Sequence, residues 1–186
     1  MTLPPAVGAR DHVQGPASAR VTLVEYADFE CPGCGQAYPV IKAVQKAFGP
    51  NLRFVFRHFP LVASHPHAAM AAEAAEAADA QGKFWAMHDR LFEHQTALED
   101  ADLQRHARKL GLDLERFERD LRTQAYQARV REDAAAGKSC GVRGTPTLFI
   151  NGVSYAGSVE REALVLALAR AALTARESHG NAALGT

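Results

Sequence analysis

Two cysteines separated by Pro32 and Gly33, Cys31 and Cys34, are the first residues in this chain whose type and spacing point to chemistry. A C-x-x-C pair serves dithiol–disulfide exchange or forms half of a metal site. The apolar, β-branched run 21–26 ends shortly before Cys31 and reads as a buried strand. Tyr38, Val40, Ile41, Val44 and Phe48 follow at helical spacings, and Gly49-Pro50 closes that helix. The pair therefore falls where a strand hands over to a helix. Unpaired N–H groups and the helix dipole favour an anion there. A thiol so placed has its pKa lowered to about 3.5–7.5. Pro32 suits the first helical turn, where its missing N–H costs nothing. Cys31 is thus read as the attacking thiol and Cys34, one turn deeper, as the resolving thiol, with Pro32 and Gly33 in supporting places. The rival is a zinc site in which Cys140 and one of His58, His65 or His67 complete the ligand set. No second C-x-x-C and no H-x₃₋₅-H is present, so the redox reading leads, and no metal or organic cofactor is expected.

The surrounding elements follow from local patterns. Residues 52–59 alternate apolar with basic and give a second strand, making a right-handed βαβ unit with the first. From 65 to 138 there is no strand signal. Helices are expected over 68–80, around Phe84–Phe92, over 99–110, and over 114–121 with Asp113 as N-cap. A further helix is expected over 123–136 with Gly137 as its cap. Residues 147–155 read as a hairpin turning at Asn151-Gly152, and 161–174 as a closing amphipathic helix. The fold class is therefore α/β. The expected domains are a flexible arm over 1–12, a discontinuous core of 13–64 and 139–175, an all-helical insertion over 65–138, and a flexible tail over 176–186.

Bulk composition narrows the function classes. The 186 residues are 47% hydrophobic and 23% charged with a formal net charge of +0, which gives no pull toward nucleic acid or an anionic membrane. No apolar run approaches the ~20 residues that span a bilayer, and no signal peptide is visible, so a cytoplasmic monomer is expected. A truncated N-terminus would allow a periplasmic or other extracytoplasmic location.

Phe29-Glu30-Cys31-Pro32-Gly33-Cys34, the helical block after Arg57-His58-Phe59-Pro60, and residues 144–152 together resemble the DsbA-like branch of the thioredoxin superfamily. The resemblance runs from about 20 to 172. It implies a thioredoxin-like core carrying an inserted helical domain, and thiol–disulfide exchange with protein thiols or disulfides and a redox partner yet to be identified. It implies that Pro146 is the superfamily's cis-proline facing the C-x-x-C, which brings the Thr145 backbone beside Cys31 to pair with an extended substrate. It also implies that Glu25 is a buried acid beneath Cys34, with a raised pKa and a role in moving the Cys34 proton. Strongly oxidising relatives carry a histidine between the cysteines. The Pro-Gly dipeptide here implies a less acidic Cys31 and a less oxidising pair. A glutathione-linked reductase on the same fold is the alternative, and a zinc-stabilised binding module using Cys31, Cys34 and Cys140 is the second.

Other residues have blander readings. Cys140 reads as a small buried hydrophobe. His58, His65 and His67 read as boundary or surface groups, His88 and Trp85 as helix packing, and Tyr26, Phe29 and Tyr38 as packing around the active-site turn.

Overall fold

The computed structural model describes residues 3–183, with side chains to residue 174. The expected tail over 176–186 lies outside the residues whose side chains are described. Five strands form one sheet in the order β1-β3-β2-β4-β5. They are β1 (His12–Gln14), β2 (Val21–Ala27), β3 (Leu52–His58), β4 (Thr147–Ile150) and β5 (Val153–Tyr155). Only β2 and β3 pair in parallel, and helix α1 (Pro32–Phe48) connects them. The other three pairings are antiparallel. Five helices stand between β3 and β4. They are α2 (Ala68–Asp79), α3 (Phe84–Glu93), α4 (Asp100–Lys109), α5 (Leu114–Arg122) and α6 (Gln127–Ser139). Helix α7 runs over Arg161–Ala183, longer than its amphipathic pattern predicts.

The two-residue period of the strands sorts their side chains onto two faces. Val21 and Leu23 of β2 and Phe54 and Phe56 of β3 join Cys34, Ile41, Leu164 and Leu168 in the main core. Val24, Tyr26, Val55 and Phe149 point the other way and pack with Phe59, Cys140 and Val142. Burial on both faces explains why β2 reads as a near-continuous apolar run. At the hairpin, Asn151 (φ 48°) and Gly152 (φ 81°) both take the left-handed conformation that a type I′ turn demands. Asp113 Oδ1 accepts the Arg116 N–H at 3.1 Å and caps α5 as its sequence position predicts.

Two expectations fail. Residue 12 does not close a loose arm: His12 opens β1, a short strand antiparallel to β3 along the sheet edge. Gly137 does not cap a helix ending at 136, because α6 continues to Ser139. A Cβ at Gly137 would lie 2.8 Å from Phe59 Cδ2 and 3.0 Å from Tyr26 Cδ1. The glycine lets α6 approach the aromatic face of the sheet. The positive φ that ends the segment belongs to Gly141, at 95°.

Candidate active site

Cys31 is the N-cap of α1, with extended backbone (φ −69°, ψ 121°), and Cys34 lies inside the first turn. Both are free thiols. Cys31 is 7% exposed and Cys34 not at all. The Thr145–Pro146 bond is cis, and the Thr145 carbonyl oxygen accepts the Cys31 thiol at 3.3 Å. Gly33 faces the same loop, where a Cβ would come within 3.3 Å of Pro146 Cδ and 3.7 Å of Cys31 Sγ. Gly33 and the cis-proline loop therefore both lie close to Cys31, with no room to spare for a side chain between them.

The electrostatics drive the two sulfurs apart. Cys31 is lowered to about 5, first by the Cys34 thiol acting as donor to it. Burial works against this, while Thr145 and the helix-start N–H groups of Cys34 and Gly33 add to it. Thr145 changes role with charge. Its carbonyl accepts from the thiol. Its hydroxyl, buried and otherwise without a hydrogen-bond partner, is the group available to the anion. Cys34 is pushed far up, by burial first and then by Cys31 and the Glu25 charge. Glu25, on β2 and 3% exposed, is raised to about 8 by burial alone. A carboxyl with a raised pKa thus lies on the Cys34 side of the pair.

A second set of contacts holds the turn between β2 and α1, and local sequence patterns do not mark it. Asp28 Oδ1 accepts the Glu30 N–H at 2.8 Å, and Asp28 Oδ2 accepts the Leu61 N–H at 2.8 Å. The same Oδ2 lies 2.7 Å from His65 Nδ1. The Asp28 carbonyl accepts the Cys31 N–H at 3.2 Å. Glu30 Oε2 accepts the His67 N–H at 2.7 Å. Between α3 and α4, Gln95 Nε2 donates to the carbonyls of Phe29 (2.8 Å) and Cys31 (2.9 Å). The Gln95 amide occupies the space a Cβ on Gly35 would need. The only local hint was the glycine following Cys34.

Several predicted site residues lie elsewhere. Cys140 is buried on the opposite sheet face with its Sγ 3.2 Å from the Gly137 carbonyl, so it does not join Cys31 and Cys34 in a zinc set. His58 is neither cap nor surface group. It is buried, with Nε2 2.9 Å from Glu76 Oε1, and His12 Nε2 lies 2.7 Å from the same oxygen. Among the described residues this trio is the one group of metal-ligating side chains close enough to share an ion. Both ring nitrogens already bond the carboxylate directly. His88 is buried in aromatic packing, and Tyr38 stacks on Phe92.

A thioredoxin-like sheet that presents a C-x-x-C at a helix start opposite a cis-proline defines a thiol–disulfide oxidoreductase. Comparison with known proteins agrees: the thioredoxin family model matches residues 8–170. The chain belongs to the thioredoxin family. A thioredoxin-like oxidoreductase from Silicibacter pomeroyi is 30% identical with a TM-score of 0.78, covering 91% of this chain and 94% of that one. BdbD from Bacillus subtilis (22% identical, TM-score 0.78, 91% and 96% covered) and α-DsbA1 from Wolbachia pipientis (19%, 0.80, 92% and 96%) share the fold. The curated relatives include the Na(+)/H(+) antiporter NhaA 3 of Salinispora tropica, 50% identical over 167 residues. The match covers 90% of this chain but 26% of that protein, so the chain spans about a quarter of its length. Among the described residues no helix is long and apolar enough to cross a membrane.

Proposed function

We propose that this protein exchanges disulfides with protein substrates through the Cys31–Cys34 pair. The observation that carries the reading is the split between the sulfurs: an acidic Cys31 at the helix N-cap, against Thr145 and cis-Pro146, and a strongly raised Cys34 beneath it.

The Cys31 thiolate attacks one sulfur of a substrate disulfide. A Cys31–substrate bond forms, the substrate S–S bond breaks, and the other substrate sulfur leaves as thiolate. Cys34 then loses its proton and attacks Cys31 Sγ. The Cys31–Cys34 disulfide forms and the second substrate thiolate departs. The substrate gains two electrons and the cysteine pair loses two. Run backwards, the same steps oxidise a substrate dithiol. An acidic Cys31 is also the better leaving sulfur, which favours transfer of the disulfide outward. Glu25, raised to about 8 by burial, gives a proton to Cys34 when the pair is reduced, and its ionised fraction accepts the Cys34 proton when Cys34 attacks. Thr145 offers its backbone to an extended peptide alongside Cys31.

The test is trapping. Cys34→Ala, challenged with a peptide disulfide, is expected to accumulate a Cys31 mixed disulfide by mass, and Cys31→Ser to form none and lose exchange. A Cys31→Ser variant retaining full exchange overturns the assignment. Trapping of glutathione alone, with peptide disulfides unreactive, overturns the protein-substrate reading.

A further inference from the structure

We propose that His65, held by Asp28 and supplied by the loop that opens the helical insertion, is a positioning residue for the Cys31 thiolate. The inference rests on the exchange reading above and names a further residue that tunes it.

The argument begins with charge. Neither Pro32 nor Gly33 carries a charged group, while two carboxylate side chains, Asp28 and Glu30, stand within three residues before Cys31. Alone, two negative neighbours would oppose a thiolate. Asp28 is buried, and its carbonyl is hydrogen-bonded to the Cys31 N–H. Its charge therefore sits at the sulfur's own turn.

His65 answers that charge. Its Nδ1 lies 2.7 Å from Asp28 Oδ2, and its side chain is 17% exposed. The segment is fixed: the Leu61 N–H bonds Asp28, the Leu61 carbonyl accepts from Ser64 and His65, and the His67 N–H bonds Glu30. Three hydrogen bonds thus clasp residues 61–67 to Asp28 and Glu30. His65 is raised above its usual value, by the Asp28 hydrogen bond first, against burial, with the charges of Asp28, Cys31 and Glu30 adding to the effect. Thr145 from the cis-proline loop and Cys34 contact the sulfur, Asp28 and Glu30 flank it along the turn, Glu25 lies on the Cys34 side, and His65 reaches the turn from the insertion through Asp28.

The interaction must be mutual. If His65 favours the thiolate, the thiolate favours the protonated ring equally. Oxidation to the Cys31–Cys34 disulfide removes the charge from Cys31. The His65 midpoint is therefore expected to be higher in the reduced protein than in the oxidised one. A side chain that merely braces the loop has no reason to sense that difference.

The experiment has two arms on the full chain. An NMR titration of the His65 ring in reduced and oxidised wild-type protein is expected to show the higher midpoint in the reduced form. Thiolate absorbance against pH is expected to show the Cys31 midpoint rising by about one unit in His65→Gln, as loss of one nearby partly screened charge implies. It should return toward the wild-type value in His65→Lys, and the difference should narrow with added salt. Equal His65 midpoints in the two redox states, or an unmoved Cys31 midpoint in a folded His65→Gln, overturn the inference and leave the exchange reading standing. An ordinary thiol midpoint for Cys31 in the wild type overturns the exchange reading itself. Should His65→Gln fail to fold, the wild-type titration still decides.

Discussion

Glu25 and Glu76 are both glutamates buried to within 5% of full enclosure, and they take opposite protonation states. Glu25 sits in the sheet under Cys34 with burial as its dominant influence, and it is raised to about 8. Glu76 sits on α2 where β1, β3 and the insertion meet, and it is held far below the ordinary carboxylate range. Burial opposes its charge there too. The His12 and His58 rings, at 2.7 and 2.9 Å from one oxygen, outweigh it, with Arg129 4.0 Å away. An ionised carboxylate only accepts, so each ring presents an Nε2–H to it. Enclosure alone therefore does not decide what a buried acid does. Its partners decide whether it is a fixed charge that joins elements or a neutral group with a proton to give.

The largest expected effect comes from removing the partnered acid. Glu76→Ala leaves two enclosed imidazoles facing nothing and loosens β1 and α2 from the sheet. A loss of about 3–5 kcal/mol is expected on breaking such a buried network, read as a lower denaturant midpoint. The sign with pH follows. Because the folded carboxyl is depressed, its contribution is present above its unfolded value of 4.5 and is lost as pH falls below that. Wild type and variant should therefore converge in acid. A Glu76→Ala protein as stable as wild type at neutral pH would show that the histidines contribute nothing.

Glu25→Gln should act in the opposite direction. A folded carboxyl raised to about 8 binds its proton more tightly than the unfolded chain does. Native stability therefore falls as pH rises from about 4.5 to about 8, and the penalty stays constant above that. Glutamine carries no such penalty, so the variant should equal wild type near pH 4 and exceed it near pH 9. The same substitution removes the titratable carboxyl near Cys34, whose ionised fraction takes the thiol proton. Resolution of a Cys31 mixed disulfide should slow by about ten-fold or more, while the first attack by Cys31 is unchanged. A resolution rate insensitive to this change would leave Glu25 as a packing residue.

This contrast also marks what could be read from the chain in advance. Strands β2 and β3, the Asn151-Gly152 hairpin and the Asp113 cap are local: period, turn chemistry and capping spell them out within a few residues. The Cys31–Cys34 spacing is legible as a motif, whereas the cis Thr145–Pro146 bond and its contact with Cys31 were expected from the resemblance alone. The depth of Glu25 follows from its place in an apolar strand. The role of Glu76 does not, because an alanine-rich helix gives no sign of histidines 64 and 18 positions away. Asp28, His65 and Gln95 escape for the same reason. They are ordinary loop residues whose meaning comes from partners 33 to 66 residues distant. Strand β1 is three residues long, and its fixing group is a side chain rather than a pattern. Gly137 misleads because a glycine that ends a helix and one that admits an aromatic ring look alike in sequence.

Cys140 carries the comparison to the sulfurs and brings its smallest expected effect. It is as enclosed as Cys34, 1% exposed against 0%. Cys34 has the acidic sulfur of Cys31 and the Glu25 carboxyl for neighbours. Cys140 lies among Val24, Tyr26, Val55, Phe59, Val142 and Phe149, with its thiol turned to the Gly137 carbonyl at 3.2 Å. The sheet separates the two environments. Cys140→Ala should cost about 1 kcal/mol through a cavity smaller than a methylene pair, with exchange rate and Cys31 midpoint unmoved. Alkylation of the reduced native protein should modify Cys31 quickly and Cys140 only on unfolding. If Cys140 were alkylated at the rate of Cys31, or if its loss altered exchange, the second face of the sheet would have to be counted as part of the redox machinery.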